Sequence, residues 1–351
     1  MAFPALRVTL VLMIHLFLSG CYYLQAAGGQ LEVLTKRESI DKLLDDPDTP
    51  EALAARLSLI REAREFSIVE LGLPDNDSYR SFADLDREYV VWNVIAAPEL
   101  SVEARTWCFP VAGCVAYRGY FSERRARAKA GRLEAGGYDV FVGGVTAYST
   151  LGTFDDPVLN TMLRRDDTGL VALLFHELAH QVLYVSGDTA FNESFATAVE
   201  ELGVERWLRE RALDDQWRRY LERKTLADEL TGLALEARDD LEAIYAGSTT
   251  DEAKRRAKTA RLEALTAALV ERARARGADP GDAWFAQPLN NARLAVWSAY
   301  ESHVPAFRRL FRDCEEEFGC FYERARQLAE LDADERERRL QSLATHARSA
   351  P

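Results

Sequence analysis

The chain has 351 residues, 48% of them apolar, which fits one large domain or two modest ones with a substantial core and excludes a disordered chain. Its net charge of -13 argues against the basic patch on which nucleic-acid binders depend, so no nucleic-acid partner is expected. An acidic balance mainly aids solubility and leaves the substrate open.

Residues 1–20 read as a secretory signal: Arg7, an apolar run over 8–18 that is too short for a membrane span, then small residues. Leu18-Ser19-Gly20-Cys21 resembles the bacterial lipobox, in which the residue matching Cys21 is acylated and becomes the mature N-terminus. Two or more acyl chains anchor a protein stably where one is marginal. Tyr22 follows rather than an aspartate, which by resemblance to lipoproteins that leave the inner membrane points to the outer membrane, facing the periplasm. Residues 21–35 then read as a lipidated N-terminus and tether. A single domain fills 36–351, with a β-containing lobe at about 88–156 and a helical lobe at about 157–347.

Residues 36–73 have a helical pattern broken at 45–50. The β-branched and aromatic run 89–98 ends at a proline and reads as a strand, as do 115–122, 138–144 and 145–152; a helix over 122–137 stops at Gly136-Gly137. From 157 onward the pattern is almost wholly helical. Asp167 or Thr168 caps a helix over 169–186, Gly187 breaks it, and Asp188 caps the next, to about 212. Two long polar helices, 215–247 and 250–276, and four shorter ones, 289–303, 305–317, 320–331 and 333–347, complete the chain. The fold class is therefore α+β and predominantly helical. Cys108 with Cys114 and Cys314 with Cys320 fit two local disulfides in an exported protein, although four cysteines allow other pairings and a second metal site is the weaker alternative.

His176, Glu177 and His180 fit H-E-x-x-H. Two histidines four apart lie one turn apart on a helix face, so both imidazoles reach a single cation, while Glu177 can act as general base toward water activated there. A catalytic zinc site needs three protein ligands and an open position. From His180 the helix runs about seven residues to Gly187, and Glu193 lies six beyond it. At about 1.5 Å per residue both arms are roughly 9–10 Å long, so an antiparallel pair returns Glu193 to the level of His180. Glu200 would overshoot unless the pair bends. One zinc ion per chain on His176, His180 and Glu193 is expected; a structural site, usually closed and rich in cysteine, is disfavoured.

HELAH followed by NESFA resembles the gluzincin metallopeptidases. Closer still, the chain resembles a family of bacterial lipoproteins called putative aminopeptidases, through residues 21–34, 106–121, 145–163, the HELAH–NESFA core and 289–307. The resemblance implies a zincin-like catalytic core, zinc, and a peptide substrate cleaved with Glu177 as base. By analogy with gluzincins it implies Tyr300 as oxyanion donor, with His303 and Tyr148 as alternatives. It also implies that Ala147, Tyr148, Ser149, Thr150, Leu151 and Gly152 form an edge strand that pairs with substrate main chain. Asp155, Asp156, Glu200 or Glu201 would hold a substrate ammonium. The shorter spacing from His180 to Glu193 departs from better-known gluzincins, and Thr197 stands where thermolysin-like enzymes place an orienting aspartate. A zinc endopeptidase, or an idle zincin-fold assembly protein, are the competing readings. The oligomeric state is open.

Overall fold

The computed structural model describes residues 22–109, 113–278, 288–301 and 303–348, without the side chains of 298–301 and 345–348. Residues 22–35, expected as a tether, form a helix (α1). Their alanines, leucines and glutamines are helix formers, and Val33 is buried in the main core. Strand β1 (Arg37–Ser39) leads into α2 (Ile40–Asp45) and α3 (Glu51–Val69), separated at the expected break. β1 pairs antiparallel with β2 (Ser81–Ala83), which pairs in parallel with β8 (Val158–Leu159).

The larger sheet has the order β6 (Arg118–Tyr120), β3 (Val91–Pro98), β7 (Tyr138–Val145), all antiparallel. Helix α4 (Glu123–Glu134) covers one face, where Val94 and Ala96 meet Ala126, Ala130 and Leu133. Helix α9 (Asn291–Glu301) covers the other, where Ile95 and Ala97 meet Ala292. Burial on both sides explains why β3 reads as a continuous apolar run rather than an alternating one. The helical C-terminal part thus returns to the sheet: Asn290 Nδ2 donates to Val140 O (2.9 Å) and the Asn291 amide donates to Asp139 Oδ2 (2.9 Å).

Residues 145–152 do not form the expected strand beyond Val145. The backbone turns at Leu151 (φ 55) and Gly152 (φ 76), in the left-handed region that an extended strand cannot contain. Thr150 N–H is taken by Asp156 Oδ2 (2.8 Å) and Leu151 N–H by Ser149 Oγ (3.1 Å). The expected strand at 115–122 is divided between β5 (Gly113–Val115), which pairs with β4 (Trp107–Phe109), and β6.

Helices α5 (Asp167–Val182) and α6 (Thr189–Glu210) run through the centre of the main core. α5 is capped by Asp166, one residue before the two expected caps: Gly169 N–H donates to its Oδ1 (2.7 Å). It ends at Val182, short of 186. α6 buries residues on every side, from Phe191 and Phe195 to Val199, Val204 and Trp207, as a helix at the centre of a core must. At Gly203 a Cβ would stand 2.8 Å from both Leu71 and Phe175, so this close approach requires glycine. Long helices α7 (Asp214–Ala246) and α8 (Asp251–Ala275) pack a leucine and alanine seam against α9 through Leu294. Helices α10 (Val304–Asp313), α11 (Phe318–Ala329) and α12 (Ala333–Arg348) close the main core, with Phe195 stacked on Phe321 (5.7 Å). Both local disulfides are present: Cys108–Cys114 ties β4 to β5, and Cys314–Cys320 ties α10 to α11.

Candidate metal centre

His176 and His180 project from the same side of α5, with ring centroids 4.9 Å apart. The connection to α6 is braced by the residue preceding Glu193. Asn192 Oδ1 accepts from Val185 N–H (2.7 Å), and its Nδ2 donates to Val185 O (2.8 Å). Asp188 caps α6 by accepting from Phe191 N–H (3.0 Å), and its other oxygen accepts from Arg336 Nε (2.9 Å). His303 N–H donates to Ser194 Oγ (3.1 Å). These bonds fix the rotation of α6, and they point Glu193 at the histidines. Its Oε2 lies 3.4 Å from His176 Nε2 and 3.8 Å from His180 Nε2.

One ligand atom from each of His176, His180 and Glu193 falls within 4.8 Å of the others. Ligands about 2.1 Å from a tetrahedral ion stand about 3.4 Å from each other, close to the two distances from Glu193, so a small adjustment of the side chains would let all three reach one cation. The charge states of His180 and Glu193 agree with that role. Burial pulls His180 down to about 4 and leaves it neutral, with a lone pair to give. Burial also opposes charge on His176, but Glu193 and Glu200 outweigh it and hold the imidazole well above its usual value. Burial opposes ionisation of Glu193, yet the hydrogen bond from His176 and the two imidazoles keep it below the usual carboxylate range. The proton that Glu193 and Glu200 favour on His176 would have to leave for a divalent cation to bind at Nε2.

Glu200 has a different position from the one expected of a ligand. Two turns beyond Glu193, it passes the histidine pair and meets the far nitrogen of His176, Nδ1 to Oε2, at 3.1 Å. A donor at Nδ1 fixes the tautomer that leaves Nε2 toward Glu193, which is the work of an orienting carboxylate. Thr197, one turn after Glu193, makes no such contact with His176 among the described residues, whereas Glu200 does. His180 Nδ1 is buried without a partner among the described residues. Glu177 is 7% exposed, and burial raises it to about 7, with Glu193 and Asp156 adding to the effect and His176 and Arg165 opposing it.

A cavity of ≈ 1080 Å³ opens over these groups. Ala147, Tyr148, Ser149 and Leu151 line it, in an irregular segment rather than the expected edge strand; Thr150 and Gly152 do not. Asp155 is exposed and Asp156 is 3% exposed in the protein body, bonded to Thr150; neither lines the cavity. Glu201 is ion-paired with Lys224 and with Arg308 (2.6 Å) away from it. The Tyr300 side chain lies outside the described residues. His303 pairs with Glu337 (3.3 Å) and does not line the cavity. Tyr148 donates its hydroxyl to Gln30 of α1. Tyr117 and Tyr184 line the cavity, and both phenols are raised, by burial first and by Glu193 second. Sequence reasoning missed Tyr117: no spacing rule reaches it from H-E-x-x-H, and its place in the family-like stretch 106–121 is the one signal that could have found it.

The fold and site define a helix-borne His–His–Glu centre able to hold a divalent cation, with a buried glutamate beside it in an open, largely apolar cavity. The family model described as "Putative aminopeptidase" matches residues 21–340, and the chain belongs to that family, whose name points to a peptidase. No curated protein and no solved structure matches the chain.

Proposed function

We propose that the chain is a zinc-dependent aminopeptidase of the bacterial cell envelope. The observation that carries the reading is the convergence of His176, His180 and Glu193 within 4.8 Å of one another, beside buried Glu177 in one large cavity. Two imidazoles and one carboxylate suit zinc, and a cation bound there would polarise the scissile carbonyl and lower the pKa of water at the site. Glu177 takes the proton of the attacking water and passes it to the leaving amine. Burial raises its value, and a divalent charge beside it would lower that value and favour the ionised form needed for the first transfer. Glu200 holds the His176 ring in place. Tyr117, beside Glu193 in the cavity wall, is a proposed donor to the developing oxyanion, alongside Tyr300, which the resemblance implies. Acylation of Cys21 places the protein on the outer membrane, facing the periplasm.

One observation favours the endopeptidase reading. Among the described residues, the only acidic side chains that line the cavity are Glu177, Glu193 and Glu200. An ammonium group would have to share Glu200 with His176. Matched fluorogenic peptides with free and acetylated N-termini separate the two, with Glu177→Gln as control. Cleavage restricted to free amines supports the aminopeptidase; equal cleavage of both makes the enzyme an endopeptidase; no zinc-dependent cleavage of either ends the proposal.

A further inference from the structure

Helix α1 has two unlike faces. The inner one is fixed to the body: Gln25 Oε1 accepts from Phe121 N–H (3.1 Å), Glu32 pairs with Arg87 (2.8 Å), and Tyr22 stacks on Phe109 (5.6 Å) with Arg118 4.0 Å from its ring centroid. Gly29 has no Cβ to meet the ring of Phe121, which packs directly against the helix backbone. The outer face presents Tyr23, Leu24, Ala27, Gly28, Leu31 and, at its far end, Thr35, none of them charged, in a chain in which 29% of residues are charged. Leu24 is 73% exposed and Leu31 60%. Tyr23 and Leu31 also line the cavity, as does exposed Phe154. A water-facing helix normally places its polar residues on this side. A contiguous exposed apolar face at a cavity mouth marks a surface that binds something.

The chain itself names the occupant. The face begins at the second residue after Cys21, so an acyl group there would hold α1 at the bilayer surface. Tethering raises the effective concentration of a weak apolar patch until it binds. No helix among the described residues is long and apolar enough to cross a membrane. We infer that the outer face of α1, together with Phe154, seats on the lipid bilayer, so that the cavity opens at the membrane surface and takes peptides presented there. The inference rests on the envelope-anchored reading above.

The test uses the full chain reconstituted into vesicles of phosphatidylethanolamine and phosphatidylglycerol. Leu24→Cys, Leu31→Cys and Phe154→Cys carry an environment-sensitive dye, and Val69→Cys and Leu221→Cys, exposed on other helices, are the controls. Lipid-borne doxyl quencher should reduce emission at 24, 31 and 154 at least about twofold more than at 69 and 221. Equal quenching at all five overturns the inference. So does a shift at 24 and 31 that depends on protein concentration and not on quencher, which would mean a second copy covers the face. Mass measurement of the mature N-terminus reads the anchor independently. An acylated chain with unquenched labels ends this inference and keeps the anchor; an unacylated chain with quenched labels does the reverse.

Discussion

Removing the carboxylate behind His176 separates the orienting residue from the ligands. Glu200 Oε2 is 3.1 Å from Nδ1, and the Glu200 side chain is 27% exposed, so solvent screens part of the interaction. Losing such a partner typically costs 10–100-fold in metal affinity, or about 1.4–2.7 kcal/mol. Glu200→Gln keeps an acceptor and loses only the charge, so it should weaken zinc by about tenfold, toward the low end of that range. Glu200→Ala removes the acceptor and should approach a hundredfold. Competition against a chromophoric chelator reads both, with circular dichroism to confirm the fold, beside Glu193→Ala as the loss of a true ligand. The reasoning fails if Glu200→Ala binds within about twofold of the parent, or as weakly as Glu193→Ala.

Burial lifts Asp156 from 3.8 to about 6, against the opposing hydrogen bond from Thr150. The folded chain therefore holds that proton to higher pH than the unfolded one, and the associated stability, full below 3.8, is lost as pH rises through about 6. Asp156→Asn avoids that loss, so its urea stability relative to the parent should grow from pH 4 to 6.5 by about 2 kcal/mol; a flat difference would contradict this. Asn192→Ala removes two hydrogen bonds to Val185 from a residue 2% exposed, which should cost about 2–3 kcal/mol in thermal unfolding and weaken zinc binding with it; unchanged zinc affinity would show that the brace does not aim Glu193. Gly203→Ala inserts a methyl into the contact with Phe175 and Leu71 and should destabilise by about 1–3 kcal/mol, whereas a neutral change would refute the close approach.

The histidine helix was readable because a four-residue spacing and apolar flanks have one helical interpretation. Glu193 followed from equal arm lengths, even though α5 ends earlier than its apolar pattern suggested, because the extended connection 183–188 still returns the chain alongside. Glu200 was judged by its distance along the axis, and the overshoot was real; what the arithmetic lacked was the far nitrogen of His176. The segment 145–152 alternates apolar and polar residues like a strand, but Ser149 and Asp156 claim its amides through side chains, which periodicity does not weigh. Residues 22–34 read as a tether because they follow a leader, while their composition favoured the helix that walls the cavity. The packing of α9 on β3 and β7 spans nearly 200 residues of sequence and is a tertiary fact that no local pattern encodes.

The most direct test of the central claim is metal content by mass spectrometry on the purified chain, its Glu177→Gln variant and its His180→Ala and Glu193→Ala variants, each with its peptidase rate. The account predicts one zinc per chain in the parent and in Glu177→Gln, zinc lost from both ligand variants, and activity only in the parent. Zinc retained by the ligand variants, or a fully active parent free of metal, would contradict it.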